Sequence, residues 1–312
     1  MYDLIIIGSG PAGLSAAVYA KRAGLNMLII EKNPVSGGQI IDTYEVDNYL
    51  GIPGVNGFDL AMKFREHADK LGAEFADATV TGVVCKEQGS ENKLPVYNVI
   101  TDNGEFETHT IILATGAHHS KLGVPGEEEY IGKGVSYCAT CDGAFYKGKV
   151  TAVNGGGDVA VEDAIFLSRF SSKVYLIHRR DELRAAKILQ DELFAIPNVE
   201  IIWDSVVKEV QGEDKVTTLK VENVKTKELK DVNVDGFFVA IGIHPSTDLF
   251  ADIVKCDEKG YVIAGEDGAT SAPGIFVAGD SRKKRLRQIV TAVADGANAV
   301  TSVQDFFVGK GK

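Results

Sequence analysis

Apolar residues along this chain gather into short runs that end in glycine-rich turns, and one such arrangement occurs twice. Residues 3–7 read Asp-Leu-Ile-Ile-Ile, which suits a strand buried on both faces. Gly8-Ser9-Gly10-Pro11-Ala12-Gly13 follows. An Ala-rich helical stretch then runs from Leu14 to Ala23, and a second apolar run, Met27 to Ile30, ends in Glu31. The Gly- and Pro-rich residues 34–57 read as loop, and 58–72 as an amphipathic helix closed by Gly72. Residues 80–112 alternate as strands around a hairpin turn at Asp102-Asn103-Gly104, and Thr110 to Leu113 runs into Ala114-Thr115-Gly116. The pattern then restarts. Val150 to Val153 leads into Gly155-Gly156-Gly157-Asp158-Val159-Ala160, a helix to about Phe170 and a strand from Lys173 to Ile177. Residues 206–235 alternate again, and Phe237 to Ile241 runs into Gly242. A last helix is predicted from Gln288 to Phe307, with Ala292, Ala294, Gly296, Ala297 and Ala299 suited to close packing.

The repeat predicts an α/β chain with two Rossmann-like dinucleotide-binding units. Each glycine motif stands between a strand and a helix, the context in which backbone N–H groups and the helix N-terminus receive a pyrophosphate. The units differ at the end of their second strand. Glu31 stands eighteen residues after Gly13, where a carboxylate accepts hydrogen bonds from a ribose diol. The second unit has His178, Arg179 and Arg180 there, with Arg184 one turn further. Arginines at that place accommodate a 2′-phosphate, and near a helix start they oppose the dipole unless an anion joins them. The first unit therefore fits FAD or NAD, and the second NADP. Gly279-Asp280 ends a further strand, where the acid can bond a sugar alcohol. The basic run from Arg282 to Arg287 reads as a solvated loop.

Between the units lies Cys138-Ala139-Thr140-Cys141-Asp142. The C-x-x-C spacing lets two sulfurs close a small ring, or lets one thiol stabilise the other's thiolate. Asp142 is placed to move a proton as the pair opens and closes. Half of a zinc site is the competing reading, but zinc takes four ligands and no second C-x-x-C or Cys/His pair is near. The stretch reads as a dithiol/disulfide centre, and the nucleotide units supply its electrons.

Composition narrows the picture further. A chain of 312 residues, 45% of them hydrophobic, suggests about two domains with real cores. A net charge of −11 disfavours nucleic-acid binding. Four cysteines are too few for a disulfide scaffold of this size and suit a reducing, cytoplasmic compartment. The chain enters a strand directly after Met1, with no signal peptide visible, and no apolar run is long enough to span a membrane.

These motifs together resemble the bacterial low-molecular-weight thioredoxin reductases. The resemblance runs almost end to end, through Gly-Ser-Gly-Pro-Ala-Gly, Gly-Gly-Gln, Asp-Asn-Tyr, Cys-Ala-Thr-Cys-Asp-Gly, the second glycine motif, His-Arg-Arg-Asp-x-x-Arg-Ala, Gly-Asp and Arg-Gln. It implies a homodimer with non-covalent FAD, an FAD domain made of residues 1–117 and 247–312, and an NADPH domain of residues 118–246 inserted into it. It extends the FAD contacts from Gly8, Ser9, Gly10, Ala12, Gly13, Glu31, Thr115, Gly116 and Asp280 to Gly38, Gln39, Asn48, Arg287, Gln288 and Ile289. For NADPH it implies Gly155, Gly157, Asp158, Val159, Ala160, His178, Arg179, Arg180, Arg184, Ile241 and Gly242. It also implies that Cys141 faces the flavin, that Cys138 attacks thioredoxin and that Asp142 serves as proton donor and acceptor. Electrons would pass from NADPH to FAD to the Cys138–Cys141 disulfide to thioredoxin, with a domain rotation between half-reactions. Val159 departs from the family's usual serine and is expected to weaken NADPH binding somewhat.

Three other readings use the same residues. The acceptor could be another disulfide, on a peroxiredoxin-linked carrier or a small dithiol. The chemistry could run backwards as a disulfide-forming oxidase, which would not need the arginines. The chain could also be a dinucleotide-bound redox sensor that does not turn over.

Overall fold

The computed structural model describes residues 1–43 and 45–311. Tyr44, inside the predicted 34–57 loop, and Lys312, the predicted end of the first domain, lie outside the described residues. The chain forms two compact units, one of Met1–His118 with His244–Lys312 and one of His119–Ile243.

In the first unit, β1 (Tyr2–Ile7) leads through the glycine turn into α1 (Pro11–Arg22) and β2 (Met27–Glu31). After α2 (Gly57–Lys70) come β3 (Glu74–Asp77), β4 (Val80–Glu87), β5 (Val96–Thr101) and β6 (Gly104–Leu113). The sheet order is β3-β2-β1-β6-β5-β4. Ile5 pairs with Leu28 on one side and Ile111 on the other, all buried, because helices and loops cover both faces of a parallel sheet. β6 serves two further partners. Its first half pairs antiparallel with β5 across the Asp102-Asn103 turn, and Ile111 to Leu113 pair parallel with a late strand described below. The edge strand β3 carries no strong apolar run and was not legible from the pattern. Within the 34–57 segment, Gly38–Asp42 form a 3-10 turn and Val46 bridges Val55, so this loop is partly structured.

The second unit repeats the plan. β7 (Ala117–His119) carries the chain across from the first unit, and β8 (Val135–Ser136) and the one-turn helix α3 (Ala139–Asp142) follow. β9 (Val150–Asn154), α4 (Asp158–Ser168), β10 (Lys173–Ile177), α5 (Lys187–Phe194) and β11 (Val199–Ile202) follow. A three-stranded antiparallel sheet of β12 (Ser205–Gly212), β13 (Val216–Asn223) and β14 (Leu229–Asn233) precedes β15 (Gly236–Val239). The parallel sheet runs β11-β10-β9-β15-β8, with the buried Val153 pairing Leu176 and Phe238. β16 (Ile243–Pro245) pairs with β7 in a two-stranded sheet at the two chain crossings.

The chain then completes the first unit with β17 (Ile275–Val277) and α6 (Ile289–Val308). As its small residues predict, α6 packs closely on α1: Ala292, Ala299, Val300 and Val303 share one buried cluster with Ala12, Ala16 and Ala17.

Candidate functional site

In both units the first glycine of the motif is demanded by backbone crowding. Gly8 has φ +103°, and a Cβ on it would stand 2.5 Å from the Ala114 carbonyl oxygen. Gly155 has φ +159°, and its Cβ would stand 2.4 Å from the Ala240 carbonyl oxygen. The surrounding ladders match. Gly8 N–H donates to Ile30 and Ala114 N–H to Ile7, while Gly155 N–H donates to Ile177 and Ala240 N–H to Asn154. The middle glycines, Gly10 and Gly157, meet nothing closer than 4.0 Å and leave their backbone open at the start of α1 and α4. Neither helix start is capped by its own side chain, so its N–H groups are available to an anion.

Around the first turn the predicted flavin residues gather at the ends of parallel strands. Glu31 accepts from Ser9 N–H at 2.7 Å, from Ser9 Oγ at 2.8 Å and from Asn33 N–H at 2.9 Å, which fixes its carboxylate beside the glycine turn. Gly37 N–H donates to Ser9 O, laying the Gly37-Gly38 segment against Gly10. Gln39 Nε2 donates to Ala117 O, and Asn48 Nδ2 to Gln288 Oε1 at 2.9 Å. Gln288 caps α6, with its N–H on Thr291 Oγ1, and Ile289 is the first helical residue. Arg287 lies 3.9 Å above the Tyr261 ring. Thr115, just beyond β6, and Asp280, just beyond β17, each keep a buried side-chain oxygen, Oγ1 and Oδ1, without a hydrogen-bond partner. Burial pushes the Asp280 carboxyl up from its ordinary value, opposed by Lys284 and Arg287. Two buried oxygens over an open glycine turn, Thr115 Oγ1 and an Asp280 Oδ1 met only by the Lys284 ammonium at 3.4 Å, fit a ligand that brings hydroxyls and a pyrophosphate, as FAD does.

Around the second turn stand the basic residues. His178 is 5% exposed, edge-on to Trp203, and its Nε2 is buried without a partner. Burial lowers the His178 pKa, opposed by hydrogen bonds with the Glu182 and Gly155 backbone and reinforced by Arg184 and Arg180. Arg179, Arg180 and Arg184 are exposed, and no acid among the described residues pairs with them. The Arg184 N–H donates to Gly156 O at 2.7 Å, tying the basic loop to the glycine turn, and Asp158 Oδ1 accepts from Ala186 N–H at 2.8 Å. Val159 is 52% exposed at the α4 start and Ala160 is buried; Ile241 is exposed beyond β15, beside Gly242. Three unpaired guanidinium groups beside an uncapped helix start fit a phosphorylated dinucleotide such as NADPH.

Cys138 and Cys141 form a disulfide, with Cα atoms 5.3 Å apart. Cys138 is the N-cap of α3, and its carbonyl accepts from the N–H groups of Cys141 and Asp142. The buried Ala139 shares an apolar cluster with Ala160, Val161 and Ala164 of α4, so the disulfide turn packs on the helix that begins at the second glycine motif. Burial raises the Asp142 pKa, opposed by a hydrogen bond with Ser136. No group of metal-holding side chains occurs among the described residues, and Cys85 and Cys256 are free thiols.

Part of the site was not legible. The basic run is not a solvated loop throughout: Arg282 and Lys284 have side chains only 11% and 7% exposed, because both reach the buried Asp295 of α6. An acid inside the otherwise small, apolar stretch of α6 was the available signal. Ser136 and Glu127 were missed too. Glu127 is 1% exposed and accepts from Leu122 N–H, Gly123 N–H and the Tyr137 hydroxyl, bracing the segment that enters Cys138.

The pattern of the family described as pyridine nucleotide-disulphide oxidoreductase matches residues 2–296. The chain is 45% identical to a thioredoxin reductase of Bacillus subtilis, over 98% of this chain and 95% of that protein. Among solved structures it resembles thioredoxin reductase from Streptococcus pyogenes, at 46% identity and a TM-score of 0.93, covering 99% of this chain and 98% of that one. It also resembles Lactococcus lactis thioredoxin reductase, described as the FR conformation, at 44% identity and a TM-score of 0.65, covering 99% of each chain.

Proposed function

The chain belongs to the pyridine nucleotide-disulphide oxidoreductase family, and we propose that within it the protein is a thioredoxin-disulfide reductase. It is an NADPH-dependent flavoprotein oxidoreductase. The observation that carries the proposal is the Cys138–Cys141 disulfide on a turn packed against the second nucleotide helix. The overall reaction moves two electrons from NADPH to a thioredoxin disulfide, and hydride chemistry is what FAD and the nicotinamide supply when bound.

The chain's own residues do the rest. Glu31, the glycine turn, Thr115 and Asp280 hold FAD, supported by Gly38, Gln39, Asn48, Arg287 and Gln288. His178, Arg179, Arg180 and Arg184 hold the 2′-phosphate end of NADPH beside the second turn. Reduction of the disulfide consumes two electrons and two protons and leaves two thiols. Asp142, with its pKa raised by burial, can hold a proton beside Cys141 and return it. The Cys138 thiolate then attacks one sulfur of thioredoxin, forming a mixed disulfide. Cys141 attacks Cys138, restoring the Cys138–Cys141 bond and releasing thioredoxin as a dithiol.

The first unit serves as the FAD domain and the second as the NADPH domain, and one turns against the other between half-reactions. What supports the rotation is chemical: the nicotinamide and Cys141 must each reach the flavin, and Cys138 must then be open to thioredoxin, which one rigid arrangement does not allow. A homodimer working in the cytoplasm completes the proposal, and the two free thiols suit a reducing compartment. No helix of the described residues is long and apolar enough to cross a membrane.

The test is NADPH consumption with a panel of acceptors: thioredoxin, other protein disulfides and a small-molecule disulfide. Thioredoxin should give the highest kcat/KM. A carrier of another class that outperforms it would reassign the acceptor, and flavin reduction without turnover on any acceptor would favour the sensor.

A further inference from the structure

The network behind Asp280 has more parts than holding one acid requires. Asp295 is buried on α6 and receives four N–H donors: Gly279 N–H at 3.0 Å, Arg282 Nε at 3.3 Å, Arg282 Nη2 at 2.8 Å and Lys284 Nζ at 3.0 Å. Lys284 Nζ also donates to Thr291 Oγ1 at 3.3 Å. The same ammonium stands 3.4 Å from Asp280 Oδ1, close enough to stabilise a charge there, yet that oxygen receives no aligned hydrogen bond. Arg287 also faces Asp280, its Nε 3.5 Å from the Asp280 backbone oxygen. Two nearly buried cations, Arg282 and Lys284, thus direct their aligned donors to Asp295, Thr291 and, through Arg282 Nη1 at 3.2 Å, the Gly265 carbonyl, and leave Asp280 Oδ1 only the 3.4 Å ion pair with Lys284.

We propose that Asp295 is a positioning residue of the flavin site, which holds Arg282 and Lys284 so that Asp280 keeps an acceptor oxygen free for a hydroxyl of the bound flavin nucleotide. The inference rests on reading Asp280 as a flavin contact. Its physical basis is competition. A cation with little water needs a carboxylate, and one whose partner is removed turns to the nearest remaining acid. Without Asp295 that acid is Asp280. Its oxygens would then be taken up by N–H donors, and the flavin nucleotide would lose a charge-assisted hydrogen bond. The same acid anchors Gly279 N–H, which sets the direction in which the chain presents Asp280 beyond β17.

The experiment follows FAD release from purified holoenzyme by recovery of flavin fluorescence, with thermal unfolding of each variant alongside. Asp295→Asn, which keeps the shape and removes the charge, should speed release about ten-fold or more, the scale of one hydrogen bond to a charged group. Adding Lys284→Met removes the cation that captures Asp280, so the double variant should return to within about three-fold of wild type on the same scale. A brace with no role in the competition gives the opposite result, a double variant as leaky as Asp295→Asn or worse, and that overturns the proposal. Unchanged release in Asp295→Asn also overturns it. If Asp295→Asn does not fold, Lys284→Met alone decides: release within about three-fold of wild type supports the competition, and a loss of ten-fold or more means that Lys284 itself seats Asp280. Asp280→Ala separates the two levels. Wild-type release in that variant removes the underlying flavin assignment, whatever Asp295 does.

Discussion

The two nucleotide units share strand order, glycine turn and backbone ladder, and part company at the end of the second parallel strand. In the first unit, β2 ends in Glu31, whose carboxylate is held by both the N–H and the hydroxyl of Ser9. In the second, β10 ends at His178, and the arginines beyond it are exposed and unpaired. Beside its glycine turn the first unit keeps Thr115 Oγ1 and Asp280 Oδ1 without an aligned hydrogen bond, whereas the second keeps positive charge open. The same backbone therefore presents a hydroxyl-reading face in one unit and a phosphate-reading face in the other. A second contrast follows the third small residue of each motif. Gly13 lets α1 come within contact of the turn, where a Cβ would meet Gly8 O at 1.9 Å, while Ala160 keeps its methyl group in the second unit.

The largest expected effects fall on the disulfide that only the second unit carries. Cys138→Ser and Cys141→Ser should each reduce thioredoxin turnover to background while NADPH still bleaches the flavin, since one thiol cannot complete the exchange. Normal turnover in either variant breaks the comparison at its root. Asp142→Asn should keep both nucleotides bound and slow turnover by about 10²–10⁴, the scale of a lost acid–base group. Stopped-flow absorbance of the flavin separates that step from binding.

Arg180→Ala sharpens the contrast between the units. It should raise the KM for NADPH about ten-fold or more and leave NADH use nearly unchanged, because only the 2′-phosphate is lost as a partner. Equal losses for both nucleotides would show that the basic cluster does not read that phosphate.

A smaller effect belongs to Asp163 on α4, which burial, and then Glu162, push from 3.8 up to about 7. An acid whose folded pKa is raised costs nothing below its unfolded value and destabilises the fold as pH rises towards the folded value. Wild-type stability should therefore fall between about pH 4 and pH 7, by about 1–4 kcal/mol. Asp163→Asn should remove that slope, raising Tm at pH 8 and hardly changing it at pH 4. Parallel Tm-against-pH curves for the two proteins would contradict the assignment.

Most of the parallel strands, both glycine turns and the Glu31-versus-arginine contrast were legible because each is local: a buried parallel strand must be a continuous apolar run, and a nucleotide turn must carry glycine where backbones meet. β3, β8, β11 and α5 were not, since they are very short or their side chains are mostly exposed or mixed, and their places are set by the sheets and by α4. The Arg282–Asp295–Lys284 network was hidden for another reason. Charge runs are solvated unless something buried answers them, and the answering acid lies eleven residues from Lys284, on another element. Glu127 and Ser136 were invisible in the same way, because their work is done through long-range hydrogen bonds and burial.

The central claim is that one unit holds FAD, the other reads NADPH through its arginines, and the disulfide passes the electrons on. Anaerobic flavin absorbance tests it most directly, with one equivalent of NADPH or NADH added to the purified protein and oxidised thioredoxin added afterwards. The account predicts a yellow protein that NADPH bleaches much faster than NADH, and whose colour thioredoxin restores as its own disulfide is reduced. A protein that NADH bleaches as readily as NADPH, or that stays bleached when thioredoxin is added, would contradict it.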